Sequence, residues 1–392
     1  MTDPAGATTT FTYDSAHLLL SVNGPGNVPL RTMHYDAAGR LTSVTDADGN
    51  TTAITHDVAA RTQVIKDPNG KLTTTLHLDD LGDVLTKAAV GDGQTRTTTS
   101  TFDPFGRTLS STDPLGRTTH RTYDDAGDLL TATDAGHVRS ISYGPTGQPL
   151  STTDANGANQ QFGYDGLGEL TSLTDANGHS TLYGYDGAGR MASKTDGLGG
   201  LTAYGYDGAG RVTSTTDPLG RTTSTMYDSH GHVATATDPA GLVTTTSYDP
   251  DGRLLSTTDP SGAVTTSAYD ANGRQTSMTD ALGKTTSYAY TAAGLRSSST
   301  DPLGRVTLFG YDPDGRVTTS TDPTGAVTTS AYGAFGELSS VKDPLARVTG
   351  YGYDLAGQRT TMTAANGKTT AYGFDVVGNR TTVVPSFLGP ME

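Results

Sequence analysis

Short bursts of alternating apolar and polar residues fill the chain, and Asp-x-x-Gly cuts them at regular intervals. One period reads Y-D-G-A-G-R-V-T-S-T-T-D-P-L-G-R-T-T-S-T-M from Tyr206 to Met226, and Y-D starts again at Tyr227. Between the cuts lie Arg211 to Thr216 and Arg221 to Tyr227, rich in Thr, Val, Ser and Tyr, with no internal proline. Val212 and Ser214 fall on one side of such a segment, Arg211 and Thr213 on the other. Period two and β-branched content predict strands. Aromatics recur two apart at Tyr183 and Tyr185, Tyr204 and Tyr206, Tyr288 and Tyr290, Phe309 and Tyr311, Tyr351 and Tyr353, and Tyr372 and Phe374. A strand puts both members of a pair on one face, whereas a helix would set them about 200° apart.

Both cuts are turn frames. A type I turn favours Asp first, Pro second and Gly fourth, the places held by Asp217, Pro218 and Gly220. Asp207 and Gly210 make the same frame without proline. The Asp side chain is expected to bond back to the backbone, and the Gly to take the positive φ of a bulged hairpin. The expected structural anchors are Tyr185, Asp186, Gly189, Tyr206, Asp207, Gly210, Asp217, Pro218, Gly220, Tyr227, Asp228, Tyr248, Asp249, Tyr269, Asp270, Tyr311, Asp312, Tyr353 and Asp354. Arg190, Arg211, Arg253, Arg274 and Arg316, each following a turn glycine, are expected to pair with turn aspartates.

The repeat sets the domain organisation. Irregular repeats fill residues 1–122, regular 21-residue repeats 123–382, and a short non-repeat tail 383–392, all one continuous array. In the irregular part His56 and Leu78 stand where Tyr is expected, Gly24-Pro25-Gly26 enlarges one turn, and Val90-Gly91-Asp92-Gly93 replaces another. Eighteen anchors imply about 36 strands. At ~4.8 Å spacing they make a ribbon of about 170 Å, which would close as a ring roughly 55 Å across or spiral in narrower turns. The fold class is all-β: tandem β-hairpins in one long antiparallel ribbon that spirals into a hollow shell or tube. The chain begins and ends in mid-pattern, which suits a segment of something longer or ends covered by another molecule.

Composition modifies this picture in three ways. Hydrophobic residues are only 33%, so stability is expected from backbone ladders and from Thr, Ser and Tyr pairs, each worth about 0.2–1 kcal/mol. A polar chain this size would otherwise suggest disorder, but the fixed phase of Tyr, Asp and Gly argues against it. A net charge of −15 without a basic run disfavours nucleic acid as a partner, and the absence of Cys excludes disulfides and thiolate chemistry. No signal peptide or membrane-spanning stretch is legible, and the Cys-free, Thr/Ser/Gly-rich composition suits a secreted or cell-surface protein.

Repeats of Y-D-x-x-G-R-V-T-S-T-T-D-P-L-G-R-T-T resemble the RHS/YD-repeat family. That family includes RHS polymorphic toxins, the cocoon-forming components of Tc toxins, wall-associated bacterial proteins and teneurins. The resemblance covers nearly the whole chain and implies a β-ribbon shell, in toxins often wrapped around a C-terminal effector. The RHS-associated core motif of the toxin forms, with its autoproteolytic aspartates, is absent from these residues. Toxic activity is therefore not implied.

Candidate chemistry is sparse. Asp46-Ala47-Asp48-Gly49-Asn50 and Asp312-Pro313-Asp314-Gly315 look like calcium loops but lack the twelve-residue spacing with its final Glu. His230 and His232 flank Gly231 in a turn, two ligands without a third, and read as exposed turn histidines. No catalytic, metal or cofactor site is expected. The leading expectation is a non-enzymatic shell segment that encapsulates or displays an effector. The alternatives are an extracellular self-assembling fibre or adhesin, joined through open strand edges to neighbouring copies, and a module binding surface glycans through its tyrosines. Tryptophan, on which comparable glycan-binding repeats rely, is missing.

Overall fold

The computed structural model describes residues 1–134, 136–375 and 377–386. The chain forms 36 strands in one antiparallel sheet, from Thr10–Tyr13 to Arg380–Pro385, with pairings between strands that follow one another in sequence. The expected all-β ribbon of hairpins is the observed fold. Among the described residues the only helical piece is the 3-10 turn Pro25–Asn27. Val383, Val384 and Pro385 complete the last strand, while 387–392 lie outside the described residues.

The repeat contains two different hairpins. Leu201–Tyr206 pairs with Val212–Thr216 with a register shift between Gly205 and Tyr206, a β-bulge beside the Y-D turn. Val212–Thr216 then pairs with Thr222–Tyr227 in unbroken register across the T-D-P turn. Bulges bend and twist the strand that carries them. Because each bulge sits at a Y-D turn, the two long edges of the ribbon are built differently.

By contacts the chain divides into two compact units. One is Met1–Thr119 with Ala268–Met278 and Lys284–Glu392; the other is His120–Ser267 with Thr279–Gly283. The second is regular throughout, with strands of five to seven residues. The first contains the enlarged hairpin Val84–Gly91 and Gln94–Phe102, of eight and nine residues, joined through Asp92 and Gly93.

A conventional core is missing. Along Val243–Tyr248, Val243, Thr245 and Ser247 are exposed while Thr244, Thr246 and Tyr248 are half-buried. Among the described residues no large side chain is fully buried, and the buried positions are Asn23, Gly24, Ala89, Gly91 and Ala334. All five lie in the first unit.

The turns are where sequence dictates geometry most tightly. Gly220 sits at φ +77° with open space around its Cα, so glycine is needed there for conformation alone. Ala346 occupies the matching place in Asp343-Pro344-Leu345-Ala346 at φ +63°, and its N–H still closes the turn on the Asp343 carbonyl at 2.9 Å. An L-residue in this region costs about 1–2 kcal/mol, partly offset by the lower backbone entropy of the unfolded alanine chain. Ala346→Gly should therefore stabilise its repeat by about 1 kcal/mol and Gly220→Ala should destabilise its own by a similar amount, read by amide hydrogen exchange in the flanking strands.

Candidate functional site: the turn clips and the seam

Each Asp-x-x-Gly-Arg turn is a self-contained clip. The Asp207 Oδ1 accepts the backbone N–H of Ala209 at 2.9 Å and of Arg211 at 3.0 Å, and its Oδ2 accepts the Arg211 Nε at 2.7 Å. Asp186, Asp249, Asp270 and Asp312 make the same three contacts with Arg190, Arg253, Arg274 and Arg316. Asp217 does so with Leu219 and Arg221, and Pro218 stands where no donor is needed. Asp354 takes the N–H groups of Ala356 and Gln358. Gly189, Gly210 and Gly220 all have positive φ. The expected Arg–Asp pairing is thus present, and it is local to each turn.

On the Y-D edge the clips are stitched to one another. The Tyr206 hydroxyl donates to the Met191 carbonyl at 2.7 Å, beside the preceding bulge. Tyr185, Tyr227, Tyr311 and Tyr353 donate likewise to the carbonyls of Leu170, Val212, Arg296 and Leu338. The guanidinium of Arg190 lies 4.7 Å from the Tyr206 ring centroid and donates to the Asp207 carbonyl at 3.0 Å. Arg211 covers Tyr227 at 4.6 Å, and Arg274 covers Tyr290 at 5.0 Å. Such pairs add about 0.5–1 kcal/mol at exposed sites. Tyr248 and Tyr269 close their strands at the matching positions.

Histidine substitutes for both partners. His56, in a tyrosine position, places Nε2 2.8 Å from the Leu41 carbonyl. His232, in an arginine position, places Nδ1 3.1 Å from Asp228 Oδ2 and stacks 4.8 Å from Tyr248. The expectation of exposed turn histidines therefore needs correction at His232, which is half-buried as a working member of a clip. His230 is exposed. Among the described residues no group of three or more His, Cys, Asp or Glu is placed to hold a metal ion.

Within the first unit, T-D-P-edge turns of the N-terminal third lie against Y-D-edge turns of the C-terminal third, some 245 residues away along the chain. Two of those Y-D turns lack their own aspartate. Thr291 replaces it in one, and there Asp48 Oδ1 accepts the Ala293 N–H at 3.2 Å, the bond a resident aspartate would make. Gly333 replaces it in the other, and there Asp92 Oδ2 accepts the Ala334 N–H at 2.5 Å. In that same turn Glu337 stands where arginine is expected, and Arg96 pairs with it while stacking 3.9 Å from the Phe335 centroid. Asn69 donates to Asp314, whose carboxyl burial pushes above its ordinary value against the pull of Arg316. Gly91 is packed so closely that a Cβ would overlap the Ala334 methyl. The suspected calcium loops at Asp46–Asn50 and Asp312–Gly315 are thus seam turns, with Asp48 and Asp314 bonded across it.

Sequence reasoning found the clips and missed the seam. The signal was present as departures from the repeat: Thr291 and Gly333 for Asp, Glu337 for Arg, and a hairpin without T-D-P around Asp92.

A sheet held from its edges by repeated turn clips defines a β-hairpin repeat protein. The family model described as RHS Repeat matches residues 1–28, 35–71, 102–139, 143–180, 164–201, 185–222, 227–264, 269–306, 292–328, 311–348, 332–369 and 353–385, and the chain belongs to that family. No curated protein matches the chain by sequence. Among solved structures it is similar to the crystal structure of TcdB2-TccC3-TEV, with TM-score 0.82 and 17% identity over 96% of this chain. It is also similar to the Photorhabdus luminescens Tc holotoxin pore carrying a TccC3 mutation and to TcdB2-TccC3 without its hypervariable C-terminal region, each with TM-score 0.78, 17% identity and 96% coverage. The chain spans about a quarter of those chains (24%, 25% and 25%), and at this identity the likeness establishes the fold.

Two expectations test this site. Gly91→Ala should open the seam at a cost of about 1–3 kcal/mol, seen as faster amide exchange at Ala334 while the clip amides of Asp207 and Arg211 are unchanged. The second concerns pH. The Arg211 backbone N–H bond, opposed by partial desolvation and reinforced by the Arg211 side chain, holds the Asp207 carboxyl below its ordinary 3.8. For Asp186 the Arg190 side chain comes first and the Arg190 backbone N–H second. A lowered folded-state pKa gives stability that is present above the unfolded value and lost as pH falls through the folded one. Approach to the pI near 4.8 first relieves the repulsion of the −15 charge. Thermal melting should therefore peak near about pH 5 and fall steeply below about pH 4, against a control carrying Asp→Asn at several clips, whose acid limb should be shallower.

Proposed function

We propose that the chain is a non-enzymatic structural segment of an RHS-repeat shell, forming part of a wall that encloses or displays a polypeptide effector. The observation that carries this reading is the trans-completed seam. Thr291 and Gly333 leave two turns without a carboxylate, and Asp48 and Asp92 supply it from repeats about 245 residues away. A ribbon whose turns are completed by distant turns is built to lie along itself, as a continuous wall must. The fold shared with the Tc toxin structures supports the same reading. Conserved polar chemistry of the catalytic kind is not needed by this role: the turn aspartates and arginines serve the clips, and the Y-D tyrosines serve backbone carbonyls and arginine stacks. Among the described residues no helix is long and apolar enough to cross a membrane. A secreted or cell-surface location and an enclosed effector complete the proposal.

Small-angle X-ray scattering of the dilute chain tests it. A walled particle should give a pair-distance distribution weighted toward long vectors, with a forward intensity matching 40.4 kDa. A distribution typical of a solid globule of that mass would overturn the reading.

A further inference from the structure

The seam joins two unlike surfaces, the T-D-P edge of the N-terminal third and the Y-D edge of the C-terminal third. Each third has a second edge that the seam leaves open. On the N-terminal third this is the Y-D edge, where Val58, Leu81 and Phe105 are 67%, 70% and 83% exposed. On the C-terminal third it is the T-D-P edge, where Leu303 and Leu345 are 77% and 72% exposed. These side chains occupy turn tips, one hairpin apart, on rows that match tip for tip: Leu303 against Val58, Thr324 against Leu81, Leu345 against Phe105. Spacings along the chain, 303 − 58 = 245 and 345 − 105 = 240, agree with the separations of 241 to 245 residues already bonded across the seam. The charges at the rows are complementary too. Arg305 and Arg347 are 62% and 63% exposed on one, and Asp80 is 75% exposed on the other.

We propose that a second copy of this chain docks here, its open Y-D edge seated on the open T-D-P edge of the first. The contact continues the kind of edge-to-edge pairing the seam makes within one chain, with leucine and phenylalanine tips in place of the Asp48 and Asp92 carboxylates. Because the two mating surfaces differ, the pairing is head-to-tail, and every added copy leaves one edge of each kind open. Association through these turn tips needs no strand pairing at the ends of the sheet. It is independent of whether the wall encloses an effector.

Sedimentation velocity from low micromolar to several hundred micromolar chain tests this. The wild-type mass should rise from 40.4 kDa through whole multiples with concentration. Leu303→Asp/Leu345→Asp removes one surface and Phe105→Asp the other; each variant alone should lose association by about tenfold or more, since a charge must be desolvated at the contact. An equimolar mixture of the two variants keeps one intact surface on each and should form a two-chain species and stop there. Circular dichroism and thermal melting confirm folded variants, as all three side chains are exposed. A wild-type chain that stays monomeric, a variant that still assembles, or a mixture that does not pair would each overturn the proposal.

Discussion

Everything in this molecule depends on one constraint: a single-layer sheet with almost no buried side chains must satisfy its own edges. In an ordinary domain, burial of apolar surface dominates stability and turns merely connect the elements. Here the aspartate at each turn uses both carboxylate oxygens at once. Oδ1 takes two backbone donors that the turn would otherwise leave to solvent, and Oδ2 fixes the arginine that follows the glycine. The arginine then spans to the next clip through a tyrosine ring and a backbone carbonyl. No single contact in this chain is strong, since exposed ion pairs contribute at most about 1 kcal/mol. Their repetition in fixed phase makes them additive along the array, as expected where each repeat contacts chiefly its neighbours.

That economy explains why the two edges differ. The bulge occurs beside the Y-D turn, so the tyrosine hydroxyl has a carbonyl within reach only on that side. Arg221, Arg305 and Arg347 on the T-D-P edge pair with their own aspartates yet remain about two-thirds exposed (62%, 62% and 63%). One edge is therefore stitched along its length and the other is a row of independent tips. The seam unites a row of tips with a stitched edge.

The hairpins, their strand boundaries and the Arg–Asp pairs were legible because they are local: five residues contain all the atoms of a clip. The histidine substitutions were harder to read, since His56 and His232 look like lost anchors until the acceptor carbonyl and the Tyr248 ring are seen. The seam was not legible at all. Its contacts join residues more than 240 apart, and neither partner is remarkable alone; Asp92 reads as a hairpin-turn residue and Gly333 as a lapse in the pattern. Only a count of which turns lack a carboxylate, set beside which turns have one to spare, would have raised it. The irregular N-terminal third, which looks like degeneration of the repeat, is the part shaped to supply those groups.

Identical repeats raise a problem that the seam resolves. If every turn were the same, one row could slide by one repeat against the other at no cost. The pairing of Asp92 and Arg96 with Gly333 and Glu337 forbids it. A slip of one repeat toward the N-terminus would bring Asp92 against Asp312 and Arg96 against Arg316, like charge on like charge in both cases. A slip the other way would bring Asp92 against Asp354. Juxtaposed like charges in a partly dehydrated contact cost more than the modest gain of any correct pair, so specificity lies in the penalty on wrong registers. The overlap that Gly91 avoids with Ala334 adds a steric term of the same kind, because a turn tip with a Cβ there could not seat. Regular clips therefore give the ribbon its stability, and a few irregular ones decide where it comes to rest against itself.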